Sequence, residues 1–346
     1  MEPASSWQLF NTSWTLHRLS PLHHGKDCET LLDNPAALTT YATRLREQLT
    51  GNVLAGLHVA ASAADDDALS KTGALQECHW QSFSTDSSPD SEARAGIVFP
   101  GILITLVYEN ISYKAALLAE SLSSAQNGKG STLLPLLLTK LPTALRQTFI
   151  TFLSANFDTY CSNLRLPPSL LCKGLVIFVD ELRGTRGSRG RSVADHMVEE
   201  VMKELQLTLA FSSSIAPSLR TLNIGIPRTS LTDFLQDEPG NPKGRSLKQK
   251  LRSPLVSNLT AYLETHLAMK LDLDGLSQNE VAKQHVRLSK VACASFVLGS
   301  EGRMKLVVDA RLAEGDEGQD SPIFRAGEAL LQTVIGKAVI GDQERT

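Results

Sequence analysis

Residues 97–109 have the sequence IVFPGILITLVYE and are apolar at both alternating positions of an extended chain. A strand of this kind has no side suited to solvent, so we expect a central strand that other elements cover on both faces. Pro100-Gly101 predicts a bend near its start. With 42% hydrophobic and 21% charged residues, the rest of the chain can supply this cover, which argues against disorder, collagen and coiled coil. The sequence therefore predicts a folded protein built around a sheet.

The order of strand-like and helix-like patterns indicates the fold class. In the first half we expect strands at 7–19, 52–60, 75–83 and 97–109, and helices at 34–51, 112–125 and 141–160. In the second half we expect strands at 174–182, 206–212, 219–226, 287–298 and 303–312, and helices at 193–206, 254–270 and 324–339. Strands that do not alternate strictly with helices favour an α+β fold with a largely antiparallel sheet and helices packed on one face.

A division into two subdomains is expected near Leu166-Pro-Pro-Ser, since proline-rich segments often separate domains. This boundary gives an N-terminal α+β domain at 1–165 and a C-terminal α+β sheet domain at 166–346. Segments 62–73 and 84–96 are acidic and rich in small residues. We expect them to form variable surface loops of the first domain.

The overall charge excludes some classes of partner. With 34 Lys and Arg residues against 37 Asp and Glu residues, the formal net charge is −3, so no global field attracts the chain to nucleic acid or to a membrane. No apolar run approaches the roughly 18 residues of a membrane span, and the N-terminus lacks the basic start of a signal peptide. We expect an intracellular protein without a membrane partner, in which any polyanion site is local.

The first basic cluster is an arginine loop that follows an expected strand and precedes an expected helix. The loop at 183–192 carries Arg183, Arg186, Arg189 and Arg191 on a Gly/Ser-rich backbone. Such a loop suits contact with a phosphate chain. It is not a nucleotide-binding P-loop, because Thr185 stands where GxxxxGK[ST] requires Gly and Arg191 stands where it requires Lys. A solvated surface loop is the alternative interpretation.

A second basic cluster precedes the expected helix at 254–270. Its members are Lys243, Arg245, Lys248, Lys250 and Arg252. If both clusters faced one groove, they would neutralise DNA phosphates and give a binding affinity that falls with salt. No aromatic residues are interleaved with either cluster, so stacking on single-stranded bases is not favoured. Here too a solvated loop is the alternative.

The sequence contains no arrangement typical of a catalytic or metal site. The segment around Ser188 lacks the leading Gly of GxSxG, and no HExxH occurs. The segment Asp272-Leu-Asp-Gly275 is too short for a calcium loop. The five cysteines are scattered and never form CxxC, which argues against a disulfide framework and a structural zinc. We therefore expect no enzymatic activity, cofactor or metal.

The last expected hairpin offers a candidate protein interface. Strand 303–312 places Met304, Leu306 and Val308 on one face. If this strand lies at a sheet edge, its unpaired backbone would template a partner strand. An internal strand that is already paired on both sides is the alternative.

The opening Leu9–Leu22, LFNTSWTLHRLSPL, resembles the start of fungal members of the centromere protein L family, which are inner-kinetochore subunits. In that family an aromatic-Asn-Thr strand is followed by an RLSPL ending. The α+β order, the acidic loops of the first half and the C-terminal hairpin agree with this family. The resemblance implies a curved, saddle-like sheet, no catalytic activity, and a place in the nucleus at the centromere and kinetochore.

The resemblance also implies partners. Members of this family pair through their C-terminal sheet with centromere protein N, and the pair forms a basic groove for centromeric DNA beside a specialised nucleosome. Under this interpretation, Met304, Leu306 and Val308 contribute to the partner interface, and the two basic clusters contact phosphates. Two other classes stay open: a nuclear or cytosolic scaffold without DNA binding, and a phosphate-handling enzyme built on the loop at 184–192. Self-association of the isolated chain as a homodimer also stays open.

Overall fold

The computed structural model describes most of the chain and divides it into two compact units. It describes residues 6–25, 30–32, 34–54, 72–82, 99–121, 125, 130–184, 191–214, 216–236, 253–268, 271–274, 285–308 and 321–340. Unit 1 comprises residues 1–164 and 332–346, and unit 2 comprises residues 165–331. The first boundary lies next to the one expected from Leu166-Pro-Pro-Ser, but the C-terminal residues belong to unit 1 and not to the second domain.

Unit 1 contains an antiparallel sheet and helices. Its elements are β1 (Ser13–Leu19), β2 (Leu22–His23), α1 (Pro35–Leu54), β3 (Leu75–Ser82), β4 (Gly101–Tyr108), β5 (Ser112–Leu118), β6 (Ser131–Thr132), β7 (Leu136–Lys140), α2 (Thr143–Phe157) and β8 (Cys161–Asn163). The strand order is β1-β7-β5-β4-β3, with β8 also paired to β1. A separate two-stranded ribbon joins β2 and β6.

The core of unit 1 follows from the strand pattern. In β4, Ile102, Leu103, Ile104 and Leu106 are all at most 1% exposed, so this strand is buried on both faces as expected. Trp80 on β3 packs among aromatic rings, with its centroid 6.2 Å from that of Phe152 on α2. The Asn34 side chain accepts a hydrogen bond from the Ala37 N–H at 2.9 Å, which caps α1 as the sequence predicts.

The strands of unit 2 are also antiparallel to their neighbours. Its elements are α3 (Pro168–Arg183), α4 (Arg191–Val201), β9 (Gln206–Phe211), β10 (Thr221–Gly225), α5 (Leu231–Phe234), α6 (Pro254–Leu267), β11 (Val286–Ala292), β12 (Phe296–Gly299) and β13 (Arg303–Leu306). The strand order is β10-β9-β11-β12-β13. The last helix, α7 (Pro322–Ile340), is divided between the two units at Leu331. The expected α+β class and the largely antiparallel sheet are confirmed.

Two predicted elements are of the wrong type. Residues 112–118 form β5 and not a helix, because the turn at 109–111 pairs them with β4, and tertiary pairing overrides the helix propensity of their Ala and Leu residues. Residues 174–182 lie within α3 and not in a strand. A short apolar run does not distinguish a strand from a buried helix. The predicted arginine loop therefore follows a helix.

Several predicted boundaries also differ, among them that of the first strand, which begins at Ser13 after a 3-10 helix at Ser6–Leu9 and not at residue 7. The first helix does not stop at Gly51 but continues to Leu54, so the strand expected at 52–60 begins in a helix and then lies outside the described residues. The strand expected at 287–298 is two strands, β11 and β12, separated by a turn at 293–295. Of the strand expected at 303–312, the structure assigns Arg303–Leu306 to β13 and describes residues up to 308.

The opening motif provides structural contacts for unit 1. The Trp14 indole N–H donates to the Leu9 carbonyl at 2.7 Å. At the other end of β1, the Tyr160 N–H donates to Ser20 Oγ at 2.8 Å, and Thr159 Oγ1 donates to the Ser20 carbonyl at 2.8 Å. Ser20 thus holds the loop that precedes β8 against the end of β1.

His17 is a buried histidine in the same motif. It is 2% exposed, and its Nε2 lies 3.2 Å from Thr139 Oγ1 on β7. Burial, together with the charge of Arg146, lowers the pKa of His17 from 6.5 to about 4, although a hydrogen bond with Asn163 opposes the shift. His17 is therefore neutral at neutral pH and serves as a hydrogen-bonding core residue.

We predict that His17 makes the protein less stable in acid. Its folded-state pKa of about 4 lies below the unfolded value of 6.5, so between these pH values the unfolded state binds more protons. The free energy of unfolding should fall as the pH falls from 6.5 towards 4. In urea titrations across this range, His17→Gln should flatten the pH dependence, whereas His196→Gln, at an exposed position of α4, should leave it nearly unchanged. An unaltered pH dependence in His17→Gln would contradict this role.

Candidate functional site

The structure describes few members of the predicted basic clusters. Arg183 is the last residue of α3 and is partly buried, and Arg191 is the first residue of α4. Arg186, Arg189 and the whole second cluster, Lys243, Arg245, Lys248, Lys250 and Arg252, lie outside the described residues. The expected convergence of the two clusters on one groove therefore stays a prediction.

Arg183 has an acidic neighbour on its own helix. Burial raises the pKa of Asp180, and the charge of Arg183 opposes that rise. The charge of Arg183 thus interacts with the carboxyl group of Asp180. Arg183 also stands at the C-terminus of α3, where the helix dipole is negative. Both features favour a cation at this position, but they weaken the field that it offers to a phosphate.

The predicted apolar interface residues are buried within the chain. Met304, Leu306 and Val308 are 2%, 1% and 3% exposed, respectively. Side chains that are already covered do not offer apolar area to a partner. In the single chain they pack β13 into the core, and the assignment of these three side chains to a partner interface stays a prediction.

Strand β10 has one edge that faces away from its sheet. It pairs with β9 in an unbroken antiparallel register. Just beyond the strand ends, the Phe211 N–H donates to the Arg220 carbonyl at 2.9 Å and the Ile226 N–H donates to the Leu205 carbonyl at 2.8 Å. Because hydrogen-bonded pairs alternate along an antiparallel ladder, the even-numbered residues of β10 bond to β9. The odd-numbered residues direct their N–H and C=O groups outwards.

These outward groups are accessible. Thr221, Asn223 and Gly225 are all exposed residues, and β10 ends the strand order of its sheet, with no further strand beside it in the described part of the chain. The intervening Leu222 and Ile224 are partly buried. Burial thus alternates along β10, and a strand added here would extend both the hydrogen-bond ladder and the apolar face.

Strand β10 lacks the usual protection of an edge strand. Its sequence, TLNIG, contains no charge and no proline, and its register with β9 contains no bulge. Strand β3, at the end of the strand order of unit 1, also lacks proline, but it contains charged residues and an irregular register. Its register with β4 is shifted between Leu75 and Glu77, and Glu77 Oε2 lies 2.8 Å from His79 Nε2. Bulges and charges block edge-to-edge pairing, so β10 is the more open of the two.

A pair of lysines faces the same side of the unit 1 sheet. Lys114 on β5 lies directly opposite Lys140 on β7 and Thr105 on β4, and residues in opposite positions share one face. Lys140 is exposed and Lys114 is partly buried. Burial, with a smaller contribution from Lys140, lowers the pKa of Lys114. Among the described residues, neither ammonium group forms an ion pair with a carboxylate.

The lysine pair is suited to bind an anion. Like charges in directly opposite positions destabilise a sheet, and a phosphate between them would relieve this repulsion. Sequence analysis missed the pair because residues 112–125 were expected to form a helix, which separates Lys114 from β7. The edge of β10 was missed for a related reason. Its strand was predicted at 219–226, but strand order across a sheet is not a local property of the sequence.

Three of the described cysteines have raised pKa values. Burial raises the pKa of Cys78 to about 12 and the pKa of Cys161 and Cys293 to about 11, so these thiols are protonated at neutral pH. The described residues contain no group of three His, Cys, Asp or Glu side chains placed to hold a metal ion. Within the described helices, none combines the length and apolar character needed to cross a bilayer.

We predict that Lys140→Glu stabilises the protein by about 0.5 kcal/mol, because it replaces a like-charge pair with an opposite-charge pair across two strands. The gain should be measured as the free energy of unfolding in urea at low salt. Lys173→Glu makes the same charge change at an exposed position of α3 and should give a smaller effect. Equal effects from the two substitutions would show that the pair is not repulsive.

A protein-family model matches nearly the whole chain. A family model described as Centromere protein L matches residues 8–339. The matched range includes every strand described above, and with them the open edge of β10 and the lysine pair. No curated protein matches the chain.

Proposed function

Because the chain belongs to the centromere protein L family, we propose that it pairs with centromere protein N and that the pair contacts centromeric DNA. Membership of this structural family implies a role at the kinetochore, in chromosome segregation, and a place in a kinetochore complex. The identity of the partner and the contact with DNA go beyond family membership. The observation that carries the proposal is the open, uncharged edge of β10.

The surface proposed for the partner is the edge of β10, whose backbone groups are exposed, whereas Met304, Leu306 and Val308 of the hairpin are buried in the single chain. The outward groups of Thr221, Asn223 and Gly225 offer three N–H donors and three carbonyl acceptors in register. An added strand would satisfy all of them and would place its own apolar residues beside Leu222 and Ile224. Docking by backbone pairing requires little of the side chains on β10, which is consistent with its short and uncharged sequence.

The DNA contact in unit 1 is the pair of Lys114 and Lys140. Two ammonium groups without a described carboxylate partner, at the accessible end of a sheet face that is otherwise buried, suit the phosphate backbone. The arginine loop at 183–192 and the cluster at 243–252 are further proposed contacts that rest on sequence alone. All of these contacts are with phosphates, so they imply no base preference.

We predict that Asn223→Pro abolishes pairing with centromere protein N. The Asn223 N–H points away from β9, so proline removes an outward donor and blocks the edge without breaking a bond to β9. The test is co-purification of the two full-length proteins, with circular dichroism to verify the fold.

Asn223→Ala is the matched control for this test. It also loses the side-chain bond that Asn223 Oδ1 accepts from Thr208 Oγ1 at 2.8 Å, but it keeps the outward N–H. The alanine variant should co-purify with centromere protein N as well as the wild type does. If Asn223→Pro binds as well as Asn223→Ala, the partner does not use this edge.

We predict that Lys114→Gln with Lys140→Gln weakens binding of duplex DNA by the complex with centromere protein N. Loss of two phosphate contacts should flatten the slope of log affinity against log salt concentration by about 1.8. Lys173→Gln with Lys203→Gln removes the same charge from exposed positions in unit 2 and should leave the slope unchanged. Equal slopes for both double variants would remove the pair from the DNA interface. Partner binding with no salt-sensitive DNA binding at all would favour a scaffold role.

A further inference from the structure

The sheet of unit 2 has one covered face and one open face. Leu288 and Leu298 are buried on the covered face. The Phe296 ring on the same face packs against the Phe178 ring of α3, with 4.7 Å between the ring centroids. Residues at the alternate positions of β9–β13 point to the opposite side of the sheet, and in the described strands none of them is buried. We call this opposite side the outer face.

The outer face is basic. It carries two cationic side chains on β11 and two on β13, which are Arg287, Lys290, Arg303 and Lys305. The sequences of the five strands contain no Asp or Glu. In the described part of the chain, none of the four cations forms an ion pair. Lys305 is partly buried and the other three are exposed, so the face presents positive charge to a ligand.

Gly299 leaves a gap between two of these cations. It lies opposite Lys290 on β11 and opposite Arg303 on β13, so the two cations are two strands apart, about 10 Å between their Cα atoms. The φ angle of Gly299 is not positive, so the backbone does not require a glycine here. An added Cβ would lie 3.8 Å from the Cβ of Arg303, in ordinary contact. Glycine within a strand often marks a place where a ligand or another backbone approaches closely.

Apolar residues beside the cations favour a polypeptide ligand. The row of the sheet next to Gly299 places Val297 between Ala292 on β11 and Lys305 on β13. Ala292 and Val297 are partly exposed. A nucleic-acid backbone is contacted mainly by charged and hydrogen-bonding groups, for which these two side chains have no use. Protein interfaces combine apolar contacts with arginine, and charge complementarity to this face requires carboxylates.

We propose that the outer face of unit 2 binds an acidic segment of a partner protein, one that also carries apolar residues. Carboxylates of the segment accept charge-assisted hydrogen bonds from Lys290 and Arg303 across the gap at Gly299. Its apolar side chains contact Ala292 and Val297. The inference goes beyond the proposed function, because it uses neither the outward backbone groups of β10 nor the lysine pair of unit 1.

Short labelled peptides test the proposal on the full-length chain. One peptide is composed of Glu and Leu in mixed order, and its control carries the same Glu residues with Ser in place of Leu. In fluorescence anisotropy at physiological salt, the Glu/Leu peptide should bind the chain more tightly than the Glu/Ser peptide does. Arg303→Gln with Lys305→Gln should weaken binding of the Glu/Leu peptide by about tenfold or more, because hydrogen bonds to charged groups are lost. Equal binding of the two peptides, or no loss in the double variant, would overturn the proposal.

Gly299→Val separates a fitted site from diffuse attraction, since it leaves every charge unchanged. Valine suits a strand and would fill the gap between Lys290 and Arg303, so this variant should also bind the Glu/Leu peptide about tenfold more weakly. The matched control is Lys173→Gln with Lys203→Gln, which removes charge from exposed positions of unit 2 outside the outer face and should leave peptide binding unchanged. Circular dichroism verifies the fold of each variant. Peptide affinity that stays at the wild-type level in Gly299→Val would contradict the site.

Competition with duplex DNA identifies the class of ligand. Lys114→Gln with Lys140→Gln removes the phosphate contact proposed for unit 1, and this variant should bind the Glu/Leu peptide as tightly as the wild type does. Duplex DNA at an equal concentration of charge should displace little of the bound peptide. Full displacement by DNA, together with loss of DNA binding in Arg303→Gln with Lys305→Gln, would identify the outer face as a nucleic-acid surface and overturn the proposal. None of these measurements requires centromere protein N, so their failure leaves the pairing through β10 intact.

Discussion

Backbone hydrogen bonding decides which surfaces of this chain are closed and which are open. Along the inner strands of each unit, N–H and C=O groups are paired on both sides, whereas β10 pairs only with β9 among the described residues. Covering such an edge without pairing it would leave buried N–H and C=O groups without hydrogen-bond partners, at a cost of about 1–3 kcal/mol each. A protein that buries this edge must therefore present an extended strand of its own in register. The geometry limits the kind of partner more strongly than the side chains do.

Sequence patterns predicted elements well where the apolar pattern extended over many residues or where a capping residue marked the end of an element. The cap at Asn34, the two-sided burial of β4 and the long final helix were all visible in the sequence. Predictions failed where a short apolar segment fits more than one structure, as in β5 and α3. Because β5 was predicted to be a helix, the lysine pair could not be recognised. Because part of α3 was predicted to be a strand, the arginine loop was expected to follow a strand.

The candidate site was harder to predict than the fold, since it depends on strand order. Alternation at 303–308 correctly indicated one apolar face, but that face is buried within the chain. The open edge of β10 follows from the strand order and from the bonding of its even-numbered residues to β9, and not from its pattern of apolar and polar residues. Nothing in the local sequence of either strand states which neighbour it has. The opening motif that carries the family resemblance contributes structural contacts through Trp14 and Ser20 and no part of either proposed surface.

The two proposed surfaces lie in different units, with strand pairing in unit 2 and phosphate contact in unit 1. The central claim concerns the outward amides of β10, and residue-resolved hydrogen exchange measures them directly. In the complex with centromere protein N, exchange of the Thr221, Asn223 and Gly225 amides should slow strongly, while the Leu222 and Ile224 amides, already bonded to β9, should change less. Fast exchange of the three outward amides in the bound complex would contradict the account.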